Sequence, residues 1–271
     1  RWSRRPCPAP GWRTAALAPS RAEAAGSWLA RTVRYLTSTI LNGRKEIRSS
    51  GNVNILAFFA HPDDETMLCG GLLAILSKSG HDVHYLSCTR GEGGECGIPP
   101  LCDQTKLGSL RELELTCAVD SLGGKSLQFL DYVDPLVGPE NTLFSFTKDQ
   151  GKLGRELMDY LRANDIDLLI THGSNGEYGH PGHLTVFQAA QKIIQSEFPE
   201  MLWYTVQAYY DNSPKPHILN KADQADWVID VSSVINEKIQ AAFCHKSQHD
   251  LFVRRKSKEL GKSVTVAEVI Q

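Results

Sequence analysis

No apolar run in the 271-residue chain approaches the ~18–20 residues of a membrane-spanning helix, so no transmembrane segment is expected within it. An apolar signal-peptide core is absent as well, and with it the usual mark of a secreted, disulfide-built protein. The seven Cys (7, 69, 88, 96, 102, 117 and 244) are odd in number, include no Cys-x-x-Cys pair, and several fall inside apolar periodic segments. They read as buried reduced thiols of an intracellular protein. Cys96 and Cys102, which flank a Gly/Pro loop, are the one pair whose placement invites a bridge. No internal repeat occurs, which excludes a solenoid or propeller. Excess positive charge is also lacking. The net is −2, with ten Arg or Lys against two acids in residues 1–52 and a net of −10 in the remainder. An acidic body repels phosphates and excludes a nucleic-acid partner.

What is present is an ordinary soluble composition, 41% hydrophobic and 22% charged, on a chain long enough to bury a core. Two regions are expected: a basic arm over 1–52 and a body over 53–271. The arm reads as an organellar transit segment or as a truncated start. Within it Leu29, Val33, Leu36 and Ile40 recur at helical spacing and predict a helix at 28–41 that packs on the body, with a membrane-surface helix as the alternative.

The body alternates strands and helices. Strands are predicted at 54–60, 82–89, 126–130, 167–171, 202–209 and 227–231, and helices at 65–79, 107–122, 152–163, 184–197 and 234–248. Such alternation implies βαβ units, and so an α/β, Rossmann-like single domain whose mostly parallel sheet has helices on both faces.

Two strand ends carry the chemistry. Ala60-His61-Pro62-Asp63-Asp64-Glu65 follows the first strand, and Gly176-Glu177-Tyr178-Gly179-His180-Pro181-Gly182-His183 follows the one ending at Thr171. His61, Asp64 and one or both of His180 and His183 would make a two-His-one-carboxylate set that binds Zn²⁺ or a similar divalent ion and leaves positions open for water. Pro181 suits the first turn of a helix and would set His180 and His183 at its start. Glu65 has a plainer explanation as a favourable charge in its helix's first turn.

These paired motifs, with Gly70-Gly71 after the first, resemble the LmbE/PIG-L family of zinc-dependent N-deacetylases over roughly residues 53–250. The resemblance implies a metal-dependent hydrolase that removes the N-acetyl group from an N-acetylglucosamine conjugate, N-acetylglucosaminyl-phosphatidylinositol among the candidates. It implies that His61, Asp64 and His183 bind zinc, with Fe²⁺ or another divalent ion as alternatives. Asp63 would be the general base, and His180 would stabilise the oxyanion or protonate the leaving amine, with Tyr178 as a second candidate donor. Arg90 resembles a substrate-binding arginine, its plainer reading being a surface salt bridge. His245-Lys246-Ser247-Gln248 resembles a family segment near the site and otherwise reads as a helix end. One departure stands out: Gly182 occupies a position where relatives usually have Asp, so His180 lacks a carboxylate that could tune it.

The expected partner is a soluble or glycolipid N-acetylglucosamine conjugate. The expected location is intracellular, soluble or peripheral to a membrane, in the cytoplasm or on the cytoplasmic face of the ER, with a mitochondrial location as the alternative that the basic arm suggests. Two other readings fit the residues: a non-catalytic sugar or headgroup binder, suggested by Gly182, and a non-haem Fe(II) oxygenase, since His61-x-Asp63 with a distant His also spells that facial triad.

Overall fold

Strand β1 (Asn54–Phe59) is buried on both faces because its residues serve two apolar layers alternately. Ile55, Ala57 and Phe59 point into one, and Leu56 and Phe58 into the other. The computed structural model describes residues 3–4, 51–211, 220–221 and 223–270; the helix expected at 28–41 lies outside them. Around β1 the strands β2 (Asp82–Thr89), β3 (Ser126–Tyr132), β4 (Leu168–Thr171) and β5 (Leu202–Thr205) form one sheet in the order β3-β2-β1-β4-β5, every neighbouring pair parallel. A separate two-residue ribbon pairs Ser3–Arg4 antiparallel with Trp227–Val228.

Helices cover both faces, as expected. On one lie α1 (Gly70–Lys78), α2 (Leu107–Ser121) and, after β5, α5 (Ile235–Cys244), through Leu73, Ile75, Leu115, Val119 and Ala241. The other carries α3 (Gln150–Ala163) and α4 (Pro181–Glu197), through Leu153, Leu157, Val186 and Ala189. The chain leaving β1 therefore turns to one face and the chain leaving β4 to the other. Their carboxyl ends part into a crevice, the switch point at which open α/β sheets bind ligands. Such a parallel sheet is not the jelly roll that the oxygenase reading requires. Ile75, buried in the first layer, is expected to lose about 1 kcal/mol of stability on truncation to Val, measurable by denaturant unfolding.

Several local expectations change: the strands expected at 202–209 and 227–231 span only Leu202–Thr205 and Trp227–Val228, the second outside the parallel sheet. The helix expected at 65–79 begins as one π-helical turn, Glu65–Cys69, before α1. There the helix runs against the segment after Val228, so closely that a Cβ at Gly71 would lie 2.6 Å from Val231 Cβ. The helix expected over 234–248 ends at Cys244, and a new one, α6 (His249–Leu260), follows a short 3₁₀ turn. Ser247 there gives its N–H and hydroxyl to Glu114, at 2.7 Å each, which satisfies the backbone where helix bonds stop. A short helix α7 (Val266–Ile270) then packs on α5. Finally, Cys96 and Cys102, the pair whose placement invited a bridge, are both free, and the expectation of reduced thiols fails instead for Cys117 and Cys244, which form the one disulfide among the described residues. Packing of α2 against α5 brings those Cα atoms to 5.7 Å across 127 positions of sequence, a proximity that local spacing cannot reveal.

Candidate active site

Three strand ends build the site. His61, Asp63 and Asp64 leave β1, Asp134 follows β3, and the β4 segment supplies His172, Glu177, His180 and His183. His180 caps α4 and His183 lies in its first turn, as Pro181 at the first helical position predicts.

His61 Nδ1 lies 3.2 Å from Asp64 Oδ2, and Asp64 Oδ1 lies 3.2 Å from His183 Nε2. The His61 and His180 rings meet edge to face at 4.8 Å, while those of His180 and His183 stack at 4.5 Å. Among the described residues two donor groups fit within 4.8 Å: His61, His180 and His183, and Asp64, His172 and His183. The second is incomplete as a ligand set, because His172 Nε2 accepts the Ala60 N–H at 3.0 Å and has no lone pair left to offer. The first includes two buried nitrogens, Nε2 of His61 and of His183, that make no hydrogen bond. Buried imidazole nitrogens that make no well-formed hydrogen bond and lie 3.2 Å from carboxylate oxygens are the donor chemistry a divalent cation takes.

Behind this cluster Glu177 holds two imidazoles at once. Its Oε2 receives Nδ1 of His183 at 2.6 Å and Nδ1 of His172 at 3.0 Å, and its Oε1 accepts the Gly173 N–H at 2.8 Å. A proton fixed on His183 Nδ1 leaves Nε2, facing Asp64, as the nitrogen that would give its lone pair to a cation in place of a proton, the carboxylate–histidine arrangement that orients metal-ligating imidazoles. His180 is held differently. Its Nδ1 accepts the Gly182 N–H at 3.1 Å, so its ring proton sits on Nε2. Room is short here: a Cβ at Gly182 would lie 3.2 Å from both His180 Nδ1 and His61 Cε1.

Asp63 has a strained backbone, φ +99° for a non-glycine residue, and strain of that kind concentrates at functional sites. Its conformation is fixed on every side. Arg111 Nη2 donates to Asp63 Oδ2 at 3.1 Å and also to the Pro62 carbonyl, while Nη1 donates to the Gly91 carbonyl at 2.9 Å. The Asp63 N–H is taken by Glu65 Oε2 at 3.1 Å, and Glu65 Oε1 in turn lies 3.3 Å from Nε2 of the buried His245. Glu65 thus does more than face a helix dipole, and His245 is a buried support rather than a helix end.

Charge follows burial and neighbours. Burial pushes the Asp63 carboxyl up to about 6, with Arg111 opposing and Asp64 adding. Burial would raise Asp64 too, but the His183 and His172 imidazoles outweigh it and hold that carboxyl well below the usual range. Against the pull of burial, Asp134 and Asp64 raise His61 to about 10, and Asp64 and Glu177 raise His183 to about 9. His180 goes the other way, burial and then its two flanking imidazoles lowering it to about 3, so it stays neutral.

The predicted residues His61, Asp63, Asp64, His180 and His183 meet in one cluster. Tyr178 stands at its exposed rim, its ring 5.7 Å from that of His180. Arg90 lies outside the cluster, bonded to Glu112 at 2.6 Å, 3.7 Å from Asp131 and over the Phe129 ring. Sequence reasoning gave no role to Glu177, His172, Arg111 or Asp134. The last has Oδ1 3.2 Å from His61 Nε2. Of these, Glu177 was open to detection, since it sits within the second motif.

Residues 56–194 match the family described as PIG-L: GlcNAc-PI de-N-acetylase. The chain is 27% identical to a 1D-myo-inositol 2-acetamido-2-deoxy-alpha-D-glucopyranoside deacetylase from Rhodococcus jostii, over 72% of its own length and 81% of the relative's. Its fold resembles N,N'-diacetylchitobiose deacetylase from Pyrococcus horikoshii, with a TM-score of 0.57 and 19% identity over 90% of this chain and 85% of that one. It also resembles GalB, a 4-carboxy-2-hydroxymuconate hydratase from Pseudomonas putida, with a TM-score of 0.52 and 19% identity over 77% and 89%. One fold thus supports amide hydrolysis and hydration alike, so chemistry must be argued from the site.

Proposed function

From a chain that belongs to the PIG-L family, whose description matches half of it, we propose a metal-dependent hydrolase that removes the N-acetyl group from an N-acetylglucosamine conjugate. The observation that carries this reading is a carboxylate, Asp63, held beside a His/Asp/His donor cluster whose imidazole Nε2 atoms face carboxylate oxygens at 3.2 Å without a well-formed hydrogen bond. His61, Asp64 and His183 are the proposed ligands, Asp64 standing in for His180, whose Nδ1 already accepts the Gly182 N–H, and zinc is the proposed ion. A divalent ion there would lower the pKa of water and polarise the amide carbonyl.

Asp63, ionised at neutral pH, takes the proton of the attacking water. Because His180 is neutral with its proton on Nε2, it donates a hydrogen bond to the oxygen on which negative charge develops, and Tyr178 closes the same side from the rim. The proton held by Asp63 then passes to the leaving nitrogen, so the products are the free amine and acetate.

The relatives named for the inositol glycoside favour N-acetylglucosaminyl-inositol as substrate, with the phosphatidylinositol form as the second candidate. Zinc-loaded protein is expected to release acetate from one of the two. Failure with both would sink the deacetylase reading. Arg90 keeps the substrate-binding role proposed for it by exchanging Glu112 for a substrate oxygen. Arg90→Ala is then expected to raise KM about tenfold with kcat within about twofold; an unchanged KM would return Arg90 to a surface salt bridge.

A further inference from the structure

The loop after β2 and helix α6 are clasped together near the mouth of the site. Gln248 Nε2 donates to the Glu95 carbonyl at 2.8 Å, and Arg254 donates to both Glu95 carboxylate oxygens, at 3.0 and 2.6 Å. Residues 248, 251 and 254 recur at three-residue spacing, so Leu251 faces the same way as the two groups that grip the loop. Leu251 is nevertheless 46% exposed, and on the loop Ile98 is 73% and Leu101 52% exposed. The loop lies close to the chain here, since a Cβ at Gly97 would be 3.5 Å from the Ser247 carbonyl. Three large apolar side chains on these two joined segments are thus open to water, with the fold giving them nothing to cover.

Cations continue that surface. Arg255 and Lys258 follow Leu251 at four and seven residues, one helical stripe, and both are exposed. Segment 249–262 carries five Lys or Arg against two acids, a local excess of +3 that becomes +2 with the Glu95 held by Arg254, and Arg255 lies 3.0 Å from Glu259, on a body whose net is −10. Apolar anchors flanked by exposed cations suit an anionic lipid surface, which takes the side chains into its acyl boundary and the cations at its headgroups.

The patch is tied to the reaction centre by the same loop. Glu92 accepts the Asp134 N–H at 3.0 Å, and the Gly91 carbonyl anchors the Arg111 that holds Asp63. We propose that Ile98, Leu101 and Leu251, with Arg255 and Lys258, form a docking surface for an anionic membrane that sets the mouth of the site at the lipid interface. Docking does not depend on the deacetylase reading, and binding is measured without turnover.

The test is sedimentation of the full chain with vesicles of phosphatidylcholine alone and with 30% phosphatidylserine. Binding to the anionic vesicles only is expected. Ile98→Asp with Leu101→Asp, and separately Arg255→Glu with Lys258→Glu, should each lower the partition coefficient at least about tenfold, while Lys192→Glu on α4 leaves it unchanged. Circular dichroism and thermal melting identify any variant that fails to fold, and Leu251→Asn then replaces it with the same expected direction. No binding by the native chain overturns the proposal. So does binding that survives in the folded patch variants, which would place it on the basic residues of 1–52 instead.

Discussion

Asp63→Asn is expected to lower kcat about 10³-fold while KM and the bound metal stay within about twofold of the native values. The substitution is nearly isosteric. Asn Oδ1 can still accept from Arg111 Nη2, and Asn is among the few residues that tolerate positive φ, so the strained backbone at +99° is kept. What disappears is the basic carboxylate. Its burial raises it to about 6, high enough for a competent base and low enough to be ionised at neutral pH. For the same reason the native rate should fall as pH drops through about 6, or lower once a cation sits beside the carboxyl, and the variant should lose that limb. Activity retained within tenfold removes Asp63 from the chemistry. Loss of metal in the variant would show instead that Asp63 helps to build the cluster. If the chain were a binder that kept only the pocket, the native protein would release no acetate and the two forms would be alike.

The fold and the two motifs were legible for different reasons. Strands such as Asn54–Phe59 are continuous apolar runs, the signature of a parallel strand buried on both sides, and the helices between them announce the crossovers. His61, Asp63, Asp64, His180 and His183 were legible because the chain brings each group into the crevice within one loop. Arg111 was not, since it lies on α2, 48 residues from Asp63, in a stretch whose sequence announces only a helix. Asp134 stands in the irregular segment after β3 with no flanking pattern, and reaches His61 through tertiary packing alone. For His245 the residues alone offered only a helix end, while the family resemblance put its segment near the site; its burial against Glu65 and Thr66 depends on where α5 stops. The Cys117–Cys244 bridge was hidden in the same way by the docking of α2 on α5.

Glu177→Gln should weaken divalent metal affinity by about ten- to a hundredfold, read by competition with a chelator, although Glu177 is not a proposed ligand. One carboxylate oxygen now receives Nδ1–H from both His183 and His172 and the other receives the Gly173 N–H. An amide offers a single acceptor oxygen, so an NH₂ must face either the two imidazoles or the backbone donor. Facing the imidazoles, it drives the His183 proton onto Nε2, where the lone pair is needed. Facing Gly173, it leaves a buried N–H without a partner and disturbs the turn that delivers the second motif. The pH dependence of the metal-free protein separates this from simple misfolding. Burial works against the Glu177 charge, yet His172 and His183 lower its pKa from 4.5 to about 2, so its stabilising contribution is complete above the ordinary glutamate value and is lost as pH falls from there through about 2. His183, raised to about 9, contributes in the opposite sense, fully below its ordinary 6.5 and progressively less as pH rises through 9. The acid limb is Glu177's own, and the alkaline limb rests on Asp64 first and Glu177 second, so melting temperature in Glu177→Gln should vary less with pH on the acid side and, to a smaller extent, on the alkaline side. A variant that keeps native metal affinity and the native melting profile would show that Glu177 orients nothing.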